Sequence, residues 1–203
     1  QHTQDMMCAL APEMQSLSME RVRVECDKAL LSYAPSKFFS ALHNTNTLGV
    51  LEHHPEKDTL VHLLQCLDYV AQNGGSLQSR LMALCHDLGK AHTPTAAWPS
   101  HNGHDVAGVV PTQQLLTRLG YGELTVQRVA YAVEMHMRAH TIGEMSAPKQ
   151  LDLWLGARRF ADDFCLMCEA DSINKERSKN VATLRSVFSF LSTFQPHRWR
   201  PTT

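Results

Sequence analysis

LMALCHDLGK, residues 81–90, is the segment around which the rest of this sequence can be understood. Its first five residues are apolar, and the helix they predict, residues 77–88, is apolar nearly all round at its C-terminal half. Such a helix belongs at the centre of a fold. The run nevertheless ends on His86 and Asp87, and a buried carboxylate is costly unless it is paired or bound to a metal. We therefore expect a buried partner or a metal ion beside this pair.

Apolar residues recur at helical spacing almost throughout the chain, without sustained apolar–polar alternation, which predicts an all-α protein. Residues 89–103 form a long loop with prolines and histidines, whose length suggests a function, and Pro111 should kink or split its helix. Residues 195–203 are expected to be a flexible tail. The other predicted helices cover residues 6–14, 19–32, 36–45, 59–72, 104–119, 123–140, 148–158, 160–175 and 179–193.

The composition narrows the function classes. The chain has 203 residues, and 19 Lys and Arg against 20 Asp and Glu argue against binding of nucleic acid or membrane through bulk positive charge. No apolar run is long enough to span a bilayer, and the N-terminus lacks a signal-peptide pattern. The six cysteines are therefore interpreted as reduced thiols of a cytoplasmic protein. The chain begins with Gln1, which suggests a processed chain or part of a longer protein.

Several polar side chains continue apolar faces of the predicted helices, as His86 and Asp87 do. Asp171 follows Phe164, Met167 and Cys168 on one face, and ten of the twelve histidines lie between positions 43 and 140. Each position alone is consistent with a hydrogen-bonded core residue or an ion-pair partner. One cation would satisfy them together. The further positions of this kind are His62, beside Cys66 and Tyr69, and His136 and His140, after Val129 and Val133.

The order His62, His86-Asp87, Asp171 resembles the HD superfamily of metal-dependent phosphohydrolases, whose fold is an all-α helical bundle. The resemblance implies that these four side chains, His62, His86, Asp87 and Asp171, hold one divalent ion. Mixed nitrogen and oxygen ligands without thiolate suit Mn, Ni, Co, Fe or Mg better than structural zinc. Cys165 and Cys168 have the spacing of zinc ligands, but no second pair of matching spacing follows them.

A narrower resemblance rests on HPEKDT (54–59), LCHDLGK (84–90), WPSHNGH (98–104) and EAD (169–171). These segments resemble the C-terminal HD domain of bacterial CCA-adding enzymes, and residues 20–50 resemble the helical neck before it. The implied organisation is a neck-like segment over 1–50, an HD domain over 51–194 and the tail. The nucleotidyltransferase head of that family is not in this sequence, so the chain is not expected to add nucleotides to tRNA by itself. Only residues 51–53 remain of a longer family segment before HPEKDT.

The predicted chemistry is hydroxide attack at phosphorus, with the ion polarising the P–O bond. Lys90 is placed to meet a phosphate, although a solvated helix-end cation explains it equally well. His104 and His136 would hold a second ion, protonate the leaving oxygen or bind phosphate. His101 and His140 are predicted to bind substrate, and a polar loop cluster is the simpler explanation of His101 and His104.

The resemblance implies small phosphoester substrates: 2′,3′-cyclic nucleotides, 2′-nucleotides and simple phosphomonoesters, in the trimming or repair of RNA ends. Basic residues between 175 and 185 would contact RNA or form a solvated face. Assembly of the chain into a homo-oligomer is also consistent with the sequence. Two alternatives remain: a non-catalytic tRNA-binding or scaffolding remnant, and an HD-type di-iron oxygenase that uses His104 and His136 for its second iron.

Overall fold

The computed structural model describes residues 16–45, 59–173 and 178–193, together with positions 6, 8, 9 and 13. Within these residues all regular structure is helical, which confirms the predicted fold class. None of these helices is both long and apolar enough to cross a bilayer. The α-helices are α1 (Met19–Leu30), α2 (Ser36–Asn44), α3 (Thr59–Gln72), α4 (Leu77–Cys85), α5 (His104–Ala107), α6 (Val109–Arg118), α7 (Glu123–Ala139), α8 (Ala147–Ala157), α9 (Ala161–Asp171) and α10 (Ser178–Ser192).

Helix α4 is central, as its apolar circumference predicts. It packs against α3, α7 and α9, and its residues Leu81, Met82, Ala83 and Cys85 are buried. The helix begins where the Ser76 hydroxyl accepts a hydrogen bond from the Ser79 amide. Because three helices surround α4, the residues that follow its C-terminus, His86 and Asp87, lie in the interior of the bundle.

The predicted helix 77–88 is too long by three residues, because α4 ends at Cys85. The chain continues as a short 3-10 helix, Leu88–His92, inside the segment predicted as a loop. Within this 3-10 helix, Gly89 passes directly against α5, and a Cβ added there would lie 1.8 Å from the carbonyl oxygen of His104. This contact joins residues fifteen positions apart in sequence and requires a glycine.

The predicted helix 104–119 is split, as expected, but the break lies at Gly108, between α5 and α6. Pro111 falls in the first turn of α6, where a missing N–H costs no hydrogen bond. Helix α9 ends at Asp171, and residues 174–177 lie outside the described part of the chain. The predicted tail and most of the predicted helix 6–14 also lie outside it, as does the boundary near residue 50 between the neck-like segment and the HD domain.

Helix α1 is fastened to the body of the bundle by a set of polar contacts that we call the neck junction, formed by Arg23, Asp27, Arg80 and Tyr121. The buried Arg80 guanidinium donates to four carbonyl oxygens, at Leu30, Ser32, Ala71 and Gly75. The Tyr121 hydroxyl donates to Asp27, and the Arg23 guanidinium lies 4.7 Å from the centre of the Tyr121 ring. These contacts make α1 part of the same packed unit as α4.

Candidate metal centre

Four of the predicted ligands meet at one point inside the bundle. His62 extends from α3, His86 and Asp87 follow α4, and Asp171 ends α9. His62 Nε2 lies 2.9 Å from Asp171 Oδ1 and 3.9 Å from Asp87 Oδ2, while His86 Nε2 lies 3.7 Å and 3.4 Å from the same two oxygens. Ligands that share one ion at about 2.1 Å are separated by about 3 to 4 Å, and these four nitrogen–oxygen separations lie in that range.

The ring of His86 carries the clearest sign of a missing cation. It is completely buried, and its Nδ1–H donates to the Ala83 carbonyl at 2.9 Å. Its Nε2 has no hydrogen-bond partner, although buried polar atoms are rarely left without one. With the proton on Nδ1, the Nε2 lone pair faces two carboxylates, which is unfavourable unless a cation lies between them. Burial alone would lower the pKa of His86, but Asp87 and Asp171 outweigh it and raise that pKa.

A second cluster lies on the other side of Asp87. His104 Nε2 is 3.2 Å from Asp87 Oδ1 and 3.1 Å from His136 Nε2. The Nδ1 atoms of His104 and His136 lie 2.9 Å and 2.6 Å from the carbonyls of His101 and Val133. If both rings are neutral and donate from Nδ1, both Nε2 atoms are acceptors, and two lone pairs at 3.1 Å need a cation or a proton between them.

Asp87 therefore has one oxygen directed towards each cluster, the arrangement of a bridging ligand. Asp87, His104 and His136 lie close enough together to share an ion. Burial and repulsion from His86 lower the pKa of His136 to about 3, so this imidazole is neutral at physiological pH. A neutral imidazole is a metal ligand and a poor proton donor.

Both carboxylates are ionised despite their burial. Burial would raise the pKa of Asp87, but His86, His104 and Lys90 hold it well below its ordinary value. The pKa of Asp171 is likewise held down, against the effect of burial, by hydrogen bonds from His140 and His62. The two ligands that carry negative charge are thus already in the state that a cation requires.

The other predicted site residues, Lys90, His101 and His140, make different contacts around this centre. Lys90 forms an ion pair with Asp87, so its ammonium group is not simply a solvated helix-end charge. His101 is buried and lies 2.6 Å from the Thr93 hydroxyl through Nδ1. His140 lies behind Asp171 and hydrogen-bonds to its Oδ2 through Nε2, a position that favours holding the carboxylate over touching a substrate.

A cavity of about 270 Å³ opens onto both clusters. Its walls combine candidate metal ligands, the Lys90 ammonium and part of the segment 98–101. Sequence reasoning assigned no site role to Thr59, Pro99, Ser100 and Met137. Pro99 and Ser100 lie in the predicted loop, and the polarity of Thr59 and Met137 does not conflict with their helical pattern. The lining residues are Thr59, Asp87, Lys90, Pro99, Ser100, His101, His104, His136, Met137 and Asp171.

Cys66, which the sequence pattern assigns to an apolar face, lies beside this centre. Its Sγ is 3.6 Å from His62 Nε2, one turn earlier on α3. The i, i+4 spacing from His62 was the available signal. By contrast, the clusters of metal-capable side chains among the described residues include neither Cys165 nor Cys168.

Comparison with known proteins agrees with this geometry. A family model described as "HD domain" matches residues 59–175, and one described as "Probable RNA and SrmB- binding site of polymerase A" matches residues 1–57. The chain is 32% identical over 198 residues to the Multifunctional CCA protein of Haemophilus influenzae (strain PittGG), covering 85% of this chain and 47% of that protein. It is 36% identical over 182 residues to the Multifunctional CCA protein of Methylococcus capsulatus (strain ATCC 33009 / NCIMB 11132 / Bath), covering 80% and 43%. The chain thus spans less than half the length of these relatives.

Proposed function

This chain belongs to the HD-domain family, and on that premise we propose that it is a divalent-metal-dependent phosphohydrolase of small phosphoesters. The observation that carries the proposal is the buried, partnerless Nε2 of His86, facing two ionised carboxylates. A scaffolding protein has no need of such an arrangement, because an orphaned polar atom in the core only lowers stability. In a protein that binds a cation there, each of these groups contributes to the affinity for the ion.

In the proposed centre His62, His86, Asp87 and Asp171 hold the first ion. Such an ion supplies Lewis acidity and makes a nearby water more acidic. Lys90, on the cavity wall, donates hydrogen bonds to a phosphoryl oxygen once its contact with Asp87 is released. His101 lines the same cavity and contributes a second contact to the substrate. The low pKa of His136 favours its role as a ligand, with His104 and Asp87, over protonation of the leaving oxygen.

The substrates that we propose are 2′,3′-cyclic nucleotides, 2′-nucleotides and simple phosphomonoesters. The cavity of about 270 Å³ is small for a ligand pocket, so only a phosphoryl group and its immediate substituents fit within it. A link to RNA ends is supported by the family model with the RNA-binding description over residues 1–57 and by relatives named Multifunctional CCA protein. The metal is proposed to be Mn, Ni, Co, Fe or Mg, since the ligands are nitrogen and oxygen.

The second candidate function is a di-iron oxygenase, and the cluster of Asp87, His104 and His136 is the observation that favours it. Two ions bridged by Asp87 would serve either reaction. Purified protein that contains two irons and consumes oxygen with a phosphorylated or unphosphorylated organic substrate would favour the oxygenase. Turnover with manganese or nickel in the absence of oxygen would exclude it as the main activity.

The test is hydrolysis of bis(p-nitrophenyl) phosphate and of 2′,3′-cyclic AMP by protein stripped with EDTA and resupplied with Mn or Ni. We expect turnover that depends on the added metal and is lost in Asp87→Asn. The matched control is Asp152→Asn, which changes an exposed carboxylate on α8 and should leave the rate unchanged. Metal binding without turnover on any phosphoester would contradict the proposal and favour the scaffolding alternative.

A further inference from the structure

We propose that Cys66 is a reserve sulfur ligand, through which the centre captures thiophilic ions such as zinc together with His62 and His86. The Cys66 sulfur and one nitrogen from each histidine all lie within 4.8 Å of one another. The set includes His86, whose buried Nε2 has no hydrogen-bond partner, so the cysteine does not stand alone. The inference rests on the proposed metal centre and not on the reaction that it catalyses.

The separations suit a tetrahedral zinc ion. Zinc binds imidazole nitrogen at about 2.0 Å and thiolate sulfur at about 2.3 Å, which places the two ligands about 3.5 Å apart at a tetrahedral angle. Cys66 Sγ lies 3.6 Å from His62 Nε2. Since His62 and Cys66 are one turn apart on α3, the helix itself fixes this distance.

The Cys66 sulfur already contacts one of the proposed partners. It lies 3.8 Å from His62 Nδ1 and 3.6 Å from His62 Nε2. Its S–H donates to the Ala170 carbonyl at 3.3 Å, across the contact between α3 and α9. On coordination the thiol loses its proton to solvent, and the thiolate becomes the ligand.

The consequence is a centre whose ligand set depends on the metal. Manganese and magnesium prefer carboxylate oxygen, so they are held by Asp87 and Asp171 with the two histidines, whereas zinc and cadmium gain from sulfur. Zinc bound through Cys66 would occupy His62 and His86 and exclude the ion that supports hydrolysis. Cys66 thereby makes the centre sensitive to thiophilic metals, a property that an alanine or valine in this buried position would not give.

Cobalt(II) is the probe for this proposal, because a thiolate bound to cobalt gives a charge-transfer absorption in the near ultraviolet. We expect this band in the wild-type protein and its loss in both Cys66→Ser and Cys66→Ala, with folding checked by circular dichroism. Cys165→Ala is the matched control, since Cys165 is buried on α9 and belongs to no metal-capable cluster of the described residues. Zinc affinity, measured by competition with a chromophoric chelator, should fall by about tenfold or more in both Cys66 variants.

Manganese affinity should stay the same in these variants, which separates a ligand role from general damage to the site. Cobalt bound by the wild type without the band, or a band that survives in both Cys66 variants, would overturn the role of Cys66 and leave the phosphohydrolase proposal intact. Absence of cobalt binding altogether would overturn both. A band that disappears in Cys165→Ala would also contradict the assignment.

Discussion

The neck junction and the metal centre both place charged groups in the interior, but they satisfy them in different ways. At the neck junction the buried Arg80 guanidinium reaches four carbonyl oxygens. At the metal centre His86 Nε2 is left without a hydrogen bond, and the Nε2 atoms of His104 and His136 face each other at 3.1 Å. The first region is complete as the chain folds, and the second becomes complete only with a cation or a proton.

This difference has an energetic meaning. A buried polar group with a partner contributes modestly to stability, whereas one without a partner costs the full desolvation of that group. The junction therefore stabilises the fold, and the centre gives up stability that it recovers on binding an ion. Substitutions at the neck junction should therefore change the free energy of unfolding, and substitutions at the centre should change the metal affinity.

The largest effect is expected from Asp171→Asn. The variant keeps the shape of the side chain but removes a negative ligand, and we expect metal affinity to fall by at least about 100-fold. Manganese should raise the melting temperature of the wild type, because it binds only the folded state, and should leave that of the variant unchanged. Calorimetric scans with and without metal measure both effects. An equal rise in the variant would contradict the assignment of Asp171 as a ligand.

Arg80→Met should have the opposite pattern of effects, lowering the stability of the fold and leaving metal binding intact. It leaves the carbonyl oxygens of Leu30, Ser32, Ala71 and Gly75 without their common donor, so we expect a loss of roughly 3 kcal/mol in the free energy of unfolding. Metal affinity should not change. Urea denaturation and metal titration of the same sample test this, with Arg118→Met as the control at an exposed position. Weaker metal binding in Arg80→Met would show that the two regions are not independent.

A smaller effect is expected at His140, which we interpret as a positioning residue for Asp171. His140→Leu removes the N–H that Nε2 donates to Asp171 Oδ2, and loss of such an outer partner should weaken metal binding by about tenfold. His140→Asn retains an N–H donor and should recover part of that affinity. If His140 binds substrate instead, as the sequence predicted, both variants should raise KM at an unchanged metal affinity.

The smallest effect is expected from Tyr121→Phe in the neck junction. It removes one hydrogen bond, from the Tyr121 hydroxyl to Asp27, and should cost about 1 kcal/mol of stability without any change in metal affinity. Tyr33→Phe is the control, because Tyr33 is 75% exposed. Denaturation curves of the two variants should differ by that amount, and coincident curves would show that the hydroxyl contributes nothing.

The sequence singled out most of the residues that meet at the candidate metal centre and few of those at the neck junction, for a physical reason. Asp87 and Asp171 interrupt apolar faces of helices, and a buried charge that breaks a periodic pattern is visible in the pattern itself. Arg80 is also buried, but its partners are backbone carbonyls up to fifty positions away, and backbone groups leave no trace in sequence. The sequence did not indicate a site role for Cys66 for another reason: a thiol on an apolar face resembles any small core residue.

The ends of the helices and the contacts of individual side chains were harder to predict than the helices themselves. The segment that follows α4 passes at Gly89 against the carbonyl of His104, a contact that exists only once α5 has packed. The position of His140 behind Asp171 likewise depends on how α7 and α9 meet, which its residue type alone does not predict. Periodicity predicts which face of a helix is buried, and tertiary packing decides which buried groups touch.

Anomalous diffraction at the manganese absorption edge, from crystals grown with manganese, tests the central claim most directly. We predict a peak within bonding distance of His86 Nε2 that is shared with His62, Asp87 and Asp171. Manganese found only elsewhere, with His86 Nε2 still unbound and facing the two carboxylates, would contradict the assignment of this centre as a metal site.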